Sequence, residues 1–304
     1  MNVNEIRSMD YHAEDGERAM ARTRIGCAAR HFGPWAVLPR WANEFVATLR
    51  AVGEERLIVA ERESPTMVRS NEIAIVPIHG LMSKGDSKFS EASTVDIRRA
   101  VREAAADDAV GAIMLHVDSP GGSVAGVQDL ADDVRSAGER KPVHAYVEDL
   151  GASAAYWVAS QAASISMNRT GEAGSIGVYA VVEDSSGRAE AAGIRVHVVS
   201  TGPHKGALVD GVPIAPESLA ELQSLVNKIN GFFTESVRKS RSMSAKMLEA
   251  VTDGRVFVGQ DAVGVGLVDQ IETFDAAMSR LRRAIGTRRR ETRKAALSLA
   301  DCFR

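Results

Sequence analysis

Residues 111–138 read GAIMLHVDSPGGSVAGVQDLADDVRSAG, and the fold follows from how this stretch divides. The first half is a short apolar run closed by Asp118-Ser119-Pro120-Gly121-Gly122, the pattern of a buried strand ending in a glycine turn. SVAGVQDLADDVRSAG then reads as a helix. The same alternation continues on both sides. Upstream, NEIAIVPIHG (71–80) is strand-like and STVDIRRAVREAAAD (93–107) is helical, with Val95, Ile97, Val101 and Ala104/Ala105 on its apolar face. Downstream, the strand KPVHAYVED (141–149) runs into the small-residue helix ASAAYWVASQAA (152–163). ISMN (165–168), SIGVYAVVED (175–184) and RVHVVSTG (195–202) are expected as further strands, with the helix SSGRAEAAGI between the last two. Pro216 to Val251 reads as long helices. RVF (255–257), a short helix from Gly259, LVDQI (267–271) and a helix from Phe274 complete the chain. Strands alternating with helices predict an α/β domain with a largely parallel sheet.

Composition bounds what such a domain can be. The chain has 304 residues, 45% hydrophobic and 25% charged, enough apolar content to rule out wholesale disorder. Its net charge is −3, which excludes a nucleic-acid polycation, yet Arg280–Arg304 carries nine basic residues against Glu291 and Asp301. Cys27 and Cys302 are too sparse for a secreted disulfide scaffold. The opening MNVNEIRSMDYHAEDGERAM has no apolar core of a signal peptide, and no window has the roughly 18 apolar residues of a membrane helix. A cytoplasmic protein is expected, or one enclosed in something assembled there. The expected organisation is an N-terminal arm over 1–70, a domain over 71–275 and a basic helix end and tail over 276–304. Within the arm, residues 33–52 hold two of the three tryptophans and a helical pattern at Trp41, Phe45 and Leu49.

Open α/β sheets keep reactive groups just past the carboxyl ends of strands. Two turns fit. At Asp118–Ser123 the paired glycines let a ligand approach the backbone, and amides there can hold an oxyanion, although most such turns are only connections. At Asp149–Trp157, Ser153 opens a helix whose early residues are small. It is placed to act as a nucleophile, or merely to cap the helix. A nucleophilic serine needs a base. His116, His144 and His197 read as strand residues without a carboxylate partner. The loop Thr201–Ala207 offers Lys205 and His204. A lysine buried without an acid becomes a neutral amine that accepts a serine proton, whereas most lysines are simply solvated.

Five blocks in order, DSPGGSV (118–124), GASAAYWVAS (151–160), GEAGSIGVYA (171–180), GPHKG (202–206) and GRVFVGQDAVGVGLVDQI (254–271), resemble the signal-peptide-peptidase (protease IV) family of serine peptidases. Among these, the phage and prophage capsid-assembly proteases look most similar. PWAVLPRW (34–41) also looks like their N-terminal element. The resemblance implies a Clp-protease/crotonase-like spiral of ββα units assembled into a homo-oligomeric ring. It implies Ser153 as nucleophile, Lys205 as general base, Gly121, Gly122 and Ala154 around the oxyanion, and Ser175 in support. Capsid or scaffold proteins are the implied substrates, and the dyad is completed within or between subunits. No cofactor, metal or membrane is implied, and the basic tail is able to dock on an acidic partner or DNA. A crotonase-type acyl-CoA enzyme, with Glu148 as its acid, and a non-catalytic assembly subunit remain the alternative classes, as does a general peptidase.

Overall fold

The computed structural model describes residues 34–41, 67–84 and 92–302, the last twelve as backbone only. Trp41 is within them, whereas Phe45, Leu49 and Cys27 lie outside. The chain builds twelve strands and eight helices among these residues. The strands are β1 (Trp35–Val37), β2 (Val68–Ser70), β3 (Ile73–His79), β4 (Met82–Ser83), β5 (Ala92–Ser93), β6 (Ala112–Ser119), β7 (Gly121–Ser123), β8 (Val143–Ala152), β9 (Ser164–Met167), β10 (Glu172–Gly174), β11 (Val256–Val258) and β12 (Gln270–Ile271). The helices are α1 (Thr94–Ala106), α2 (Val127–Arg140), α3 (Ala154–Ala159), α4 (Ser186–Ala191), α5 (Pro216–Ser240), α6 (Ala245–Glu249), α7 (Gln260–Gly264) and α8 (Phe274–Cys302).

The main sheet runs β11-β10-β8-β6-β3-β2, with β9 beside the first half of β8 and β12 beside β9. Its central pairs β3–β6 and β6–β8 are parallel; β2–β3 and β10–β11 are antiparallel. Strands β3 and β6 each continue into short strands of a second sheet, ordered β1-β7-β4-β5, and then into a helix, whereas β8 runs directly into α3. The segments β3-β4-β5-α1 and β6-β7-α2 are thus successive ββα units, as expected. The apolar runs are continuous because both sheet faces are covered. On one face Ile113, Leu115, Val117, Ala145 and Val147 pack with α1, α2 and α3. On the other, Ile73, Ala112, Met114 and Tyr146 meet Ala277, Met278, Leu281 and Ile285 of α8. The basic C-terminal helix therefore begins as a sheet cover, and Arg280 and Arg289 are paired with Glu272 and Glu72.

Two expected strands do not form. SIGVYAVVED makes a single bridge, between Tyr179 and Trp35, and RVHVVSTG has no regular structure. The alternation in Arg195–Val199 is genuine, but a strand exists only when an edge is there to pair with it. No described strand lies alongside, and Val199 is left 98% exposed.

Candidate active site

β8 ends by delivering Ser153 to the N-terminus of α3. The residue sits at φ 56°, ψ −119°, a left-handed conformation that a non-glycine side chain adopts only under constraint. Three contacts hold it. Its N–H donates to Gly174 O at 2.8 Å, its carbonyl accepts from Trp157 N at 2.9 Å, and β10 pairs with β8 up to Gly174↔Ala152. Helix α3 is anchored behind it. The Trp157 ring stacks on Phe233 of α5 with centroids 4.6 Å apart, and Tyr156 Oη donates to Leu267 O at 2.8 Å. Such an aromatic stack contributes about 0.5–1.5 kcal/mol beyond its buried area.

Ser153 is 1% exposed, and among the described residues its Oγ has no hydrogen-bond partner. It does not cap α3. That is a costly state for a buried hydroxyl, of about 1–3 kcal/mol, and it is the kind of cost a reacting group bears.

The glycine turn lies directly against this serine. A Cβ on Gly121 would stand 2.8 Å from Ala154 N and 2.9 Å from Ala152 O, and Gly121 itself has φ +90°. A Cβ on Gly122 would stand 2.0 Å from Met82 O. Both glycines are thus required, the first by conformation and contact, the second by the close approach of β4. Ser119 fixes the turn by donating Oγ–H to Gly80 O at 2.6 Å and accepting from Gly121 N at 3.2 Å. Burial, and then the charge of Asp149, hold the neighbouring Asp118 carboxyl above its usual range. Ser175, also left-handed at φ 51°, follows Gly174 and donates its N–H to Arg255 O at 2.7 Å.

The fold therefore brings Ser153, Gly121, Gly122, Ala154 and Ser175 together. It does not bring Lys205 or His204 to them. Both are exposed on the loop after residue 200, and Lys205 Nζ is outside hydrogen-bond reach of Ser153 Oγ. His116 does have a carboxylate partner, contrary to expectation: its Nε2 lies 2.6 Å from Glu148 Oε2. Strand alternation puts that pair on the α8 face of the sheet, opposite the side on which α3 packs. Glu148 is consequently not placed to serve as a crotonase-type acid over the glycine turn. Among the described residues, no group of three or more His, Cys, Asp or Glu could hold a metal ion, and no helix is long and apolar enough to cross a membrane.

One neighbour of the site was not anticipated. Strand β1 of the arm runs antiparallel along the glycine turn, with Ala36 opposite Gly122 and Val37 opposite Gly121. In residues 33–52 the sequence pattern marks only a helix, at Trp41, Phe45 and Leu49; the apolar run PWAVL is the signal that could have marked a strand, but nothing in it specifies the edge.

The sequence pattern of peptidase family S49 matches residues 135–288, half the chain. The chain is 30% identical over 259 residues to capsid assembly protease C of Escherichia phage lambda, covering 82% of this chain and 56% of that protein. It is 28% identical over 280 residues to the head-tail preconnector protein GP5 of Enterobacteria phage P21, covering 89% and 55% respectively. Against protease 4 of Haemophilus influenzae it is 28% identical over 219 residues, covering 72% of this chain and 35% of that one. The chain spans about half the length of the two phage relatives. Among solved structures, an enoyl-CoA hydratase from Shewanella pealeana superposes with a TM-score of 0.45 at 11% identity, over 76% of each chain. The matched span includes β8, the strained Ser153, Ser175 and the Lys205 loop; the chain belongs to peptidase family S49.

Proposed function

We propose that this chain is a serine endopeptidase whose catalytic unit is residues 71–275, with Ser153 as nucleophile and Lys205 as general base. The observation that carries this reading is the strained, buried Ser153 hydroxyl without a partner, set against the paired-glycine turn. Ser153 Oγ attacks the peptide carbonyl, and its proton passes to a neutral lysine amine. The amides of the glycine turn and Ala154 hold the developing oxyanion. An acyl-enzyme forms, the amine leaves with the proton, and water then releases the acyl group. Ser175 supports the base.

Because Lys205 is exposed and away from Ser153 of its own chain, the dyad is completed between subunits of a homo-oligomeric ring. The exposed apolar residues Ile194, Val196, Val198 and Val199 precede Lys205 and supply the surface for that assembly. The similarity to the two phage proteins points to capsid or scaffold proteins as substrates, with action in the cytoplasm or an assembling procapsid. The basic tail, Arg280–Arg304, can meet an acidic partner or DNA.

Mixing inactive Ser153→Ala and Lys205→Ala proteins tests the dyad. Recovered hydrolysis of a co-expressed capsid or scaffold protein is expected, because mixed interfaces pair an intact serine with an intact lysine. A fluorophosphonate label that persists in Ser153→Ala would overturn the nucleophile assignment.

A further inference from the structure

We infer that Trp35–Leu38 occupies the groove that an extended peptide substrate must enter, so that the chain carries its own tethered competitor for the active site. The inference rests on the assignment of Ser153 and the glycine turn as the catalytic site. A peptidase that accepts varied sequences holds its substrate by main-chain hydrogen bonds, as an added strand on a sheet edge beside the nucleophile. The edge beside Ser153 is β7. Its outer side is taken by β1, in the register Trp35↔Ser123, Ala36↔Gly122 and Val37↔Gly121.

The fit is that of a bound peptide. Leu38 N donates to Pro120 O at 2.8 Å and Val124 N donates to Pro34 O at 3.4 Å, on one edge of the segment. On the other edge Trp35 and Tyr179 exchange a pair of bonds, N to O, at 2.8 and 2.9 Å. The segment is thus clamped between the glycine turn and the stretch that follows Ser175. Its main chain lies directly against the glycine turn: Ala36 O stands 2.2 Å from the point that a Cβ on Gly121 would occupy. Side chains follow the same logic: Ala36 and Val37 are buried, Leu38 nearly so, and Arg40 beyond them is tied to Glu172 of β10. No substrate strand can pair with Gly121–Ser123 until this segment leaves.

The segment is held along both edges by main-chain bonds, the kind that an incoming substrate strand can take over. A peptide that pairs with the glycine turn as well as this segment does, and that presents a small residue at the position of Ala36, would displace it.

A reversible lock tests this in the full-length protein. Trp35 and Ser123 are directly opposite, and the β1–β7 hydrogen bonds fall on the neighbouring pairs. Such a pair has Cα atoms about 4.5 Å apart, a separation a disulfide spans. With Cys27 and Cys302 changed to serine, Trp35→Cys and Ser123→Cys are combined. Oxidation should lower hydrolysis of a peptide substrate about tenfold or more, as the groove-open fraction falls. Reductant should restore it, while a small fluorophosphonate still labels Ser153 in both states. Equal hydrolysis in the oxidised and reduced forms would overturn the inference. If labelling falls together with hydrolysis, the lock has distorted the site, and Leu38→Pro decides. Removing the N–H that holds Pro120 O should raise kcat/KM about fivefold; an unchanged or lower value overturns the inference. Absent labelling in the reduced and parental proteins is a different failure, because it sinks the peptidase assignment itself.

Discussion

Gly122→Ala separates the role of backbone contact from every other feature of the site. Gly122 has an ordinary φ, so an alanine there carries no conformational penalty of its own. Its Cβ, however, would stand 2.0 Å from Met82 O and 2.7 Å from Met82 C and Met82 N. Those are main-chain atoms of β4, which cannot rotate away as a flexible side chain would. Restoring ordinary contact requires β7 or β4 to retreat by more than about 1 Å, an overpacking cost of about 1–3 kcal/mol. A displacement of that size in a catalytic amide costs on the order of a hundredfold in rate. The variant should therefore lose roughly 1–3 kcal/mol in urea-induced unfolding and about two orders of magnitude in kcat/KM for a peptide. Gly138→Ala is the control: it lies on the exposed face of α2 with nothing within 4 Å of its Cβ, and should gain about 0.5–1 kcal/mol with activity unchanged. Wild-type rate and stability in Gly122→Ala would refute the account of a turn pinned between two strands.

Ser153→Ala should abolish hydrolysis yet stabilise the fold by about 1 kcal/mol, since it deletes a buried hydroxyl that has no partner; a destabilised variant in the unfolding assay would mean that the hydroxyl is bonded in solution. His144 is pushed down to about 4 by burial and then by the Arg280 guanidinium, so it stays neutral in the fold. Between its unfolded value near 6.5 and about 4, the unfolded chain binds the extra proton, so stability rises with pH across that window. As the pH falls through it, on the order of 3 kcal/mol is lost. Urea midpoints measured from pH 7 to 4 should show this slope, and His144→Asn should flatten it; an equal slope in both proteins would count against it. In a peptide library, substrates with alanine or glycine at the position matched by Ala36 should be cut faster than those with leucine or phenylalanine there. A preference for bulky residues would mean that Ala36 does not report the shape of the groove.

What could be read from the sequence was what local chemistry encodes. The apolar runs at 73–79, 112–119 and 143–152 announce strands because both faces of a parallel sheet must be apolar. The paired glycines mark a close backbone approach, since a side chain there has no room. Ser153 is marked by its place between a strand and a helix of small residues. Those features are decided by the residues themselves. The pairings between distant segments are not. Main-chain hydrogen bonds look alike whatever side chains they carry, so PWAVL could not announce that it lies on Gly121–Ser123, some eighty-five residues away. For the same reason the alternation of Arg195–Val199 suggested a strand, and only the folded chain shows that no described edge receives it. Lys205 is the sharpest case. Its residue type suits a base, but its distance from Ser153 is a property of how the loop after residue 200 leaves the body. Tertiary structure alone decided that the serine and its turn are assembled within one chain, that the lysine is held apart from them, and that the arm fills the edge beside them.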